Sequence, residues 1–185
     1  MTAAATLAEK LHMSRTSITP SGRESPFGED EIIVTKTDLQ GRLTYANDVF
    51  LRVSKYRARD VLGRPHSLVR HPEMPRCVFE LLWQTLRDGG EFFGYVVNLA
   101  SDGDHYWVFA HATPSRDAHG NVVGYHSSRR PDPAQIARIK PVYDRLLRAE
   151  AAAPDRKTGQ RRGADELHGF LRDSGTDYER FVFSL

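Results

Sequence analysis

Ile32-Ile33-Val34-Thr35-Lys36-Thr37-Asp38-Leu39-Gln40-Gly41-Arg42-Leu43-Thr44-Tyr45-Ala46-Asn47-Asp48 carries the strongest structural signal in the chain. A β-branched run meets a second short apolar run across a turn at Asp38-Leu39-Gln40-Gly41, which reads as a β-hairpin. Asn47 or Asp48 can then cap a helix, because a short oxygen-bearing side chain accepts from the unpaired amides of a first turn. Val49, Phe50 and Val53 come next at helical spacing, and a further short turn over 58–62 ends at Gly63.

Downstream, a loop over 64–74 leads to Pro75, which is tolerated in a first helical turn, and Val78, Leu81, Leu82 and Leu86 then share one helical face. Gly89-Gly90 closes that helix. Three strand-like segments over 92–99, 105–114 and 121–128 are separated by Ser101-Asp102-Gly103 and Ala118-His119-Gly120 turns. The order is two strands, helices, then a three-stranded meander. This predicts an α+β domain over 30–131, a five-stranded antiparallel sheet with its helices on one face, preceded by a flexible leader over 1–29 whose alanine-rich start can form a short helix. Beyond Pro131-Asp132-Pro133, Ile136, Ile139, Val142, Leu146 and Leu147 predict an amphipathic helix over 132–150. The remainder, 151–185, reads as a charged, glycine-containing linker up to Gly163 and then a small terminal helical pair.

Composition narrows the function classes. The 185 residues carry a formal net charge of +2 spread over both signs, so the dense basic stripe expected of a nucleic-acid binder is missing. The single cysteine, Cys77, fits a reducing cytoplasm and makes no CxxC metal site. Apolar runs of only a few residues argue against membrane insertion. The histidines lack paired metal-ligand spacing, and no nucleophile or carboxylate pair stands at useful spacing, so an enzyme is the least favoured class.

A curved sheet with helices on one face holds ligands between the two layers. Alternation along 105–112 puts Tyr106, Val108, Ala110 and Ala112 on one side and His105, Trp107, Phe109 and His111 on the other. If the first set faces the helices, Ala110 and Ala112 leave a hollow. The exposed Trp107 and Phe109 then need cover from the leader, from the helix after Pro133, or from a second subunit.

Three stretches sharpen this reading: the hairpin Thr37 to Asp48, the loop Val69-Arg70-His71-Pro72-Glu73-Met74-Pro75, and the strand Asp102-Gly103-Asp104-His105-Tyr106-Trp107-Val108. Together they resemble the flavin-binding PAS domain of bacterial aerotaxis transducers. The resemblance covers about 31–130. It implies that Asn47, Arg70, His71 and the acidic Glu73 hold FAD, that Trp83 and Phe92 lie at ring-contacting positions, and that Asn98 and His126 point inward toward the flavin ring, as in light-sensing flavin PAS domains. Two positions depart from the family pattern, Glu73 replacing an aspartate and Phe92 a tryptophan. The adduct-forming cysteine motif of the light sensors is absent.

The residue chemistry agrees. A guanidinium forks onto diphosphate oxygens and an imidazole donates to them, which suits Arg70 and His71, while Trp83 and Phe92 can stack on rings. Each residue also has a purely structural reading: Arg70 and His71 as loop and helix caps, Trp83 as core, His126 as a satisfied strand residue. The expected function is a cytoplasmic FAD-binding redox or oxygen sensor, a homodimer that passes cofactor state to a chemoreceptor or histidine kinase. FMN or haem, with His71 or His126 as axial ligand, and a cofactor-free interaction module are the alternatives.

Overall fold

The structure, a computed structural model, describes residues 18–185. The helix expected at the start of the leader lies outside them. Two strands, β1 (Ile33–Thr37) and β2 (Leu43–Ala46), precede helices α1 (Asp48–Ser54) and α2 (Ala58–Val61), a 3-10 turn (His66–Val69) and the longer α3 (Arg76–Arg87). Strands β3 (Phe92–Leu99), β4 (His105–Arg116) and β5 (Val122–Arg130) come next, then helices α4 (Pro133–Ala151), α5 (Arg156–Asp173) and α6 (Tyr178–Phe183). The strands form one antiparallel sheet in the order β2-β1-β5-β4-β3, and α1 to α3 lie on its inner face, as expected.

Local chemistry explains the hairpin and the start of α1. The Asp38 carboxylate accepts from the amides of Gln40 and Arg42 at 2.9 and 2.8 Å, and Gly41 takes a positive φ of 74° at a point where the Trp83 ring approaches. Asn47 is the N-cap of α1: its Oδ1 accepts from Phe50 N and from Val34 N, both at 3.0 Å, while its Nδ2 donates to Ile32 O at 2.8 Å. One side chain thereby ties the helix to β1, a cap contribution of about 1 kcal/mol. Phe50, Val53, Val61, Val69, Met74, Val78 and Leu86 from the helices and their connections then bury themselves against Ile33, Leu43, Tyr106 and Val108.

Part of the stretch read as a leader is tied down. Ser21 N donates to Gly103 O, His105 N to Arg23 O and Ser25 N to His105 O, so 21–25 run as a strap along the β3–β4 turn. Asp104 holds the strap. Its buried carboxylate accepts from Ser21 and pairs with Arg23 and Lys55, partners that keep it well below the usual carboxylate range. The Ser, Pro and Gly content that suggested flexibility concealed a partner for Ser21 that lies 83 residues downstream.

The linker expectation for 151–163 is also corrected. Asp155 caps α5 by accepting from Lys157 N and Thr158 N, so the helix begins at Arg156 and runs straight through both glycines. Gly159 and Gly163 are contact residues. A Cβ at Gly159 would stand 2.5 Å from the Glu150 carbonyl, and one at Gly163 would stand 2.8 Å from Glu150 Cγ, so glycine is what lets α4 and α5 pack this closely.

The C-terminal helices cover the β3 edge and the outer face beside it. Tyr143 of α4 donates to the Tyr95 carbonyl on that edge at 2.6 Å and packs on Trp107, while Phe183 of α6 lies against Phe93 and Phe109. The helix after Pro133, one of the three covers expected, covers Trp107, whereas Phe109 is covered by the terminal helix, which was not among them.

Candidate functional site

Between the inner face of the sheet and α3 lies a cavity of about 490 Å³, within the range that holds small organic cofactors. Alternation and pairing explain the hollow. Val96, Asn98, Ala110 and Ala112 share the inner face with Thr35, Thr37, Tyr125, Ser127 and Arg129, and the two alanines are too short to reach the opposing helix. Phe79, Leu82, Trp83 and Leu86 of α3 form the facing wall, and Trp83 meets Tyr125 edge to face at 5.5 Å. Polar side chains of Gln40, Arg70, Arg76, Glu80, Arg87 and Gln160 complete the lining.

The electrostatic centre of the cavity is Arg129. Its side chain is buried on β5 and donates to Thr35 Oγ1 at 3.1 Å and to His66 Nε2 at 2.9 Å. Both partners are neutral, and desolvation pulls the guanidinium down to about 10. His66 is pushed down to about 3, first by desolvation and then by the adjacent cation, so it stays an acceptor for Arg129. A buried cation without a carboxylate is costly and calls for electron-rich atoms in front of it. Thr37 adds to this: the residue borders the cavity, and its buried Oγ1 has no hydrogen-bond partner among the described residues. A buried cation held, among the described residues, by neutral groups, in a hollow walled by aromatic and aliphatic groups, suits a flat heteroaromatic molecule with carbonyl or ring-nitrogen acceptors.

The residues singled out in the sequence divide into two groups. Arg70, Trp83 and Asn98 come together on the cavity wall. The Arg70 guanidinium lies 4.7 Å over the Phe79 ring, and its backbone bridges Asn98. His126 borders the cavity only through its strand. It pairs with Lys36 on one side and Thr113 on the other, which puts its imidazole on the outer face, beside Lys36 and His111, and this corrects its expected inward orientation.

The other residues support the site from behind. His71 is 3% exposed, and its Nδ1 accepts from Glu73 N at 3.1 Å while its ring meets the His105 ring at 6.0 Å. The imidazole therefore closes the loop after Arg70 and is absent from the cavity lining. Glu73 points outward with its side chain 77% exposed. Phe92 is buried but stacks on Tyr178 of α6 at 5.6 Å. Asn47 serves as the N-cap of α1.

Residues 43–129 match the family model described as PAS fold. The chain is 41% identical over 125 residues to the aerotaxis receptor of Escherichia coli K12, a match covering 67% of this chain and 24% of that receptor. It is 29% identical over 99 residues to the nitrogen fixation regulatory protein of Klebsiella pneumoniae, covering 54% of this chain and 20% of that protein. Among solved structures, a light-oxygen-voltage domain aligns with a TM-score of 0.52 at 24% identity, covering 58% of this chain and 80% of that one. The light-oxygen-voltage domain of the blue-light photoreceptor Aureochrome1 gives 0.53 at 21%, covering 62% and 90%. At these identities the structural matches speak for the fold. This chain thus spans about a quarter of the aerotaxis receptor.

Proposed function

This chain carries a PAS domain of the aerotaxis-transducer type, and from that premise we propose that it binds FAD noncovalently in the cavity and reports the cofactor's redox state to a separate signalling partner. The observation that carries the reading is Arg129, a buried cation whose partners among the described residues are the neutral Thr35 and His66, inside a preformed hollow. When bound, the flavin supplies reversible electron chemistry.

The side chains supply binding and electrostatics. Trp83 and Tyr125 offer aromatic surfaces for a flat ring, and Leu82, Leu86 and Val96 exclude water around it. Arg129 would donate toward electron-rich ring atoms and favour negative charge there; His66, held neutral, accepts from the guanidinium and fixes its direction. Thr37, on the same lining, has a buried hydroxyl with no hydrogen-bond partner among the described residues. Arg70, with Arg76 and Arg87 on the same lining, suits the diphosphate. Arg129, carried on β5 and tied to β1 through Thr35, would pass a change of charge beside it to both strands.

The relatives named as an aerotaxis receptor and a nitrogen fixation regulatory protein support a signalling role; a chemoreceptor or histidine kinase as the partner and a homodimer as the working form belong to the proposal. A cytoplasmic setting fits this role. No helix among the described residues is long and apolar enough to cross a membrane. Haem gains no support, because His71 and His126, the ligands considered for it, both turn away from the cavity.

The test is spectroscopic. The purified full chain, or the chain after incubation with FAD and removal of the excess, should show the oxidised-flavin absorption band and lose it on chemical reduction. A colourless protein that leaves added FAD unchanged rejects the proposal.

A further inference from the structure

Three helices meet at one buried carboxylate. Glu150 ends α4, is 6% exposed, and its Oε1 accepts from Cys77 N at 2.9 Å, with Arg76 Nη1 3.9 Å from Oε2. Cys77 lies in the first turn of α3, a helix whose own N-cap, Pro75, provides no side-chain acceptor. Glu150 therefore caps, from a distant helix, the helix that walls the cavity, and its charge opposes the positive end of that helix. Helix α5 seals the junction with its glycines: a Cβ at Gly163 would also stand 3.1 Å from Cys77 Sγ. One turn before Gly163, Gln160 donates to Glu80 of α3 at 2.7 Å and lines the cavity.

From this arrangement we propose that α5 is a lid on the cavity, with Gln160 a contact for the phosphate-bearing end of the bound dinucleotide and Glu150 the positioning residue that seats the lid on α3. The lid rests on the flavin reading only for what fills the cavity. Gln160 comes from outside the sheet-and-helix cup, on a segment beyond residues 43–129 of the family match. Its amide nitrogen carries two N–H donors, one for the Glu80 carboxylate and one for a ligand phosphate oxygen. Because seating and binding share Gln160, each strengthens the other by the same factor. The surface exposed when α5 lifts is the output.

Cys77, the only cysteine, is buried under the lid, so the rate at which a thiol reagent labels it in the full-length chain measures lid opening. Saturating FAD should slow that labelling. Gly163→Leu or Glu150→Ala should speed it about tenfold with unchanged far-UV circular dichroism, the scale of a lost helix cap. Gln160→Ala, a change at a part-exposed position that leaves the fold intact, should weaken FAD about three- to tenfold and weaken lumiflavin, which lacks the phosphates, less. Labelling that is the same with and without bound FAD, or a Gln160→Ala chain that binds FAD as tightly as the parent, overturns the lid. A chain that takes up neither flavin while Glu150→Ala still speeds labelling rejects the cofactor, and with it the Gln160 contact, on grounds separate from the helix junction.

Discussion

Arg129→Met should make the ligand-free protein more stable and the cofactor complex much weaker. In the unliganded cavity the guanidinium is buried against Thr35 and His66, both neutral, and its desolvation is what draws it down to about 10. Methionine fills similar space without a charge, so thermal or denaturant unfolding of the ligand-free chain should shift upward by about 1–3 kcal/mol. A charged hydrogen bond to the ligand is lost at the same time, and FAD affinity should fall about ten- to a hundredfold by fluorescence titration. A residue retained for packing would behave in the opposite way, destabilising the protein on removal and leaving affinity alone. Loss of stability with unchanged FAD binding therefore contradicts the role given to Arg129.

Arg70→Ala and His71→Ala should both reduce FAD binding, by separable routes. Arg70 lines the cavity with its guanidinium over the Phe79 ring, so its removal should cost about tenfold or more in affinity, with a smaller loss of ligand-free stability than at the buried His71. His71 is buried behind the loop, where its loss leaves a void and an unpaired Glu73 amide, a destabilisation of about 2–3 kcal/mol. The two differ in pH dependence as well. Burial lowers the folded-state pKa of His71 from its ordinary 6.5, so the neutral imidazole contributes its full stabilisation above that value and loses it as pH falls below. The stability gap between the parent and His71→Ala should narrow from pH 7 toward about pH 5, while Arg70→Ala shows no such trend. Equal stability losses in the two variants would mean that both residues are structural.

The hairpin, the cap at Asn47 and the three-stranded meander were readable because each rests on local rules: turn chemistry, capping and a period of two. The hollow was readable for the same reason, from Ala110 and Ala112. Arg129 was not found, although extending the same alternation from β4 to β5 puts Tyr125, Ser127 and Arg129 on the inner face. His71 has its expected cofactor role from the family resemblance, which groups it with Arg70. Successive residues in extended backbone project to opposite sides, and Arg70 has an extended conformation at φ −74° and ψ 121°. Gly159 and Gly163 read as linker because glycine marks both flexible chain and close helix contact, and only the position of Glu150 distinguishes the two. Glu150 and Gln160 act across 73 and 80 residues, on Cys77 and Glu80 respectively, a separation at which neither periodicity nor motif carries information.

The most direct measurement is mass spectrometry of the small molecule released when the purified full-length chain is heat-denatured. FAD, in an equimolar ratio to the chain, is the predicted result. Release of haem, or of nothing from a protein that also fails to take up added flavin, would contradict a cavity built around Arg129 to hold an electron-rich ring.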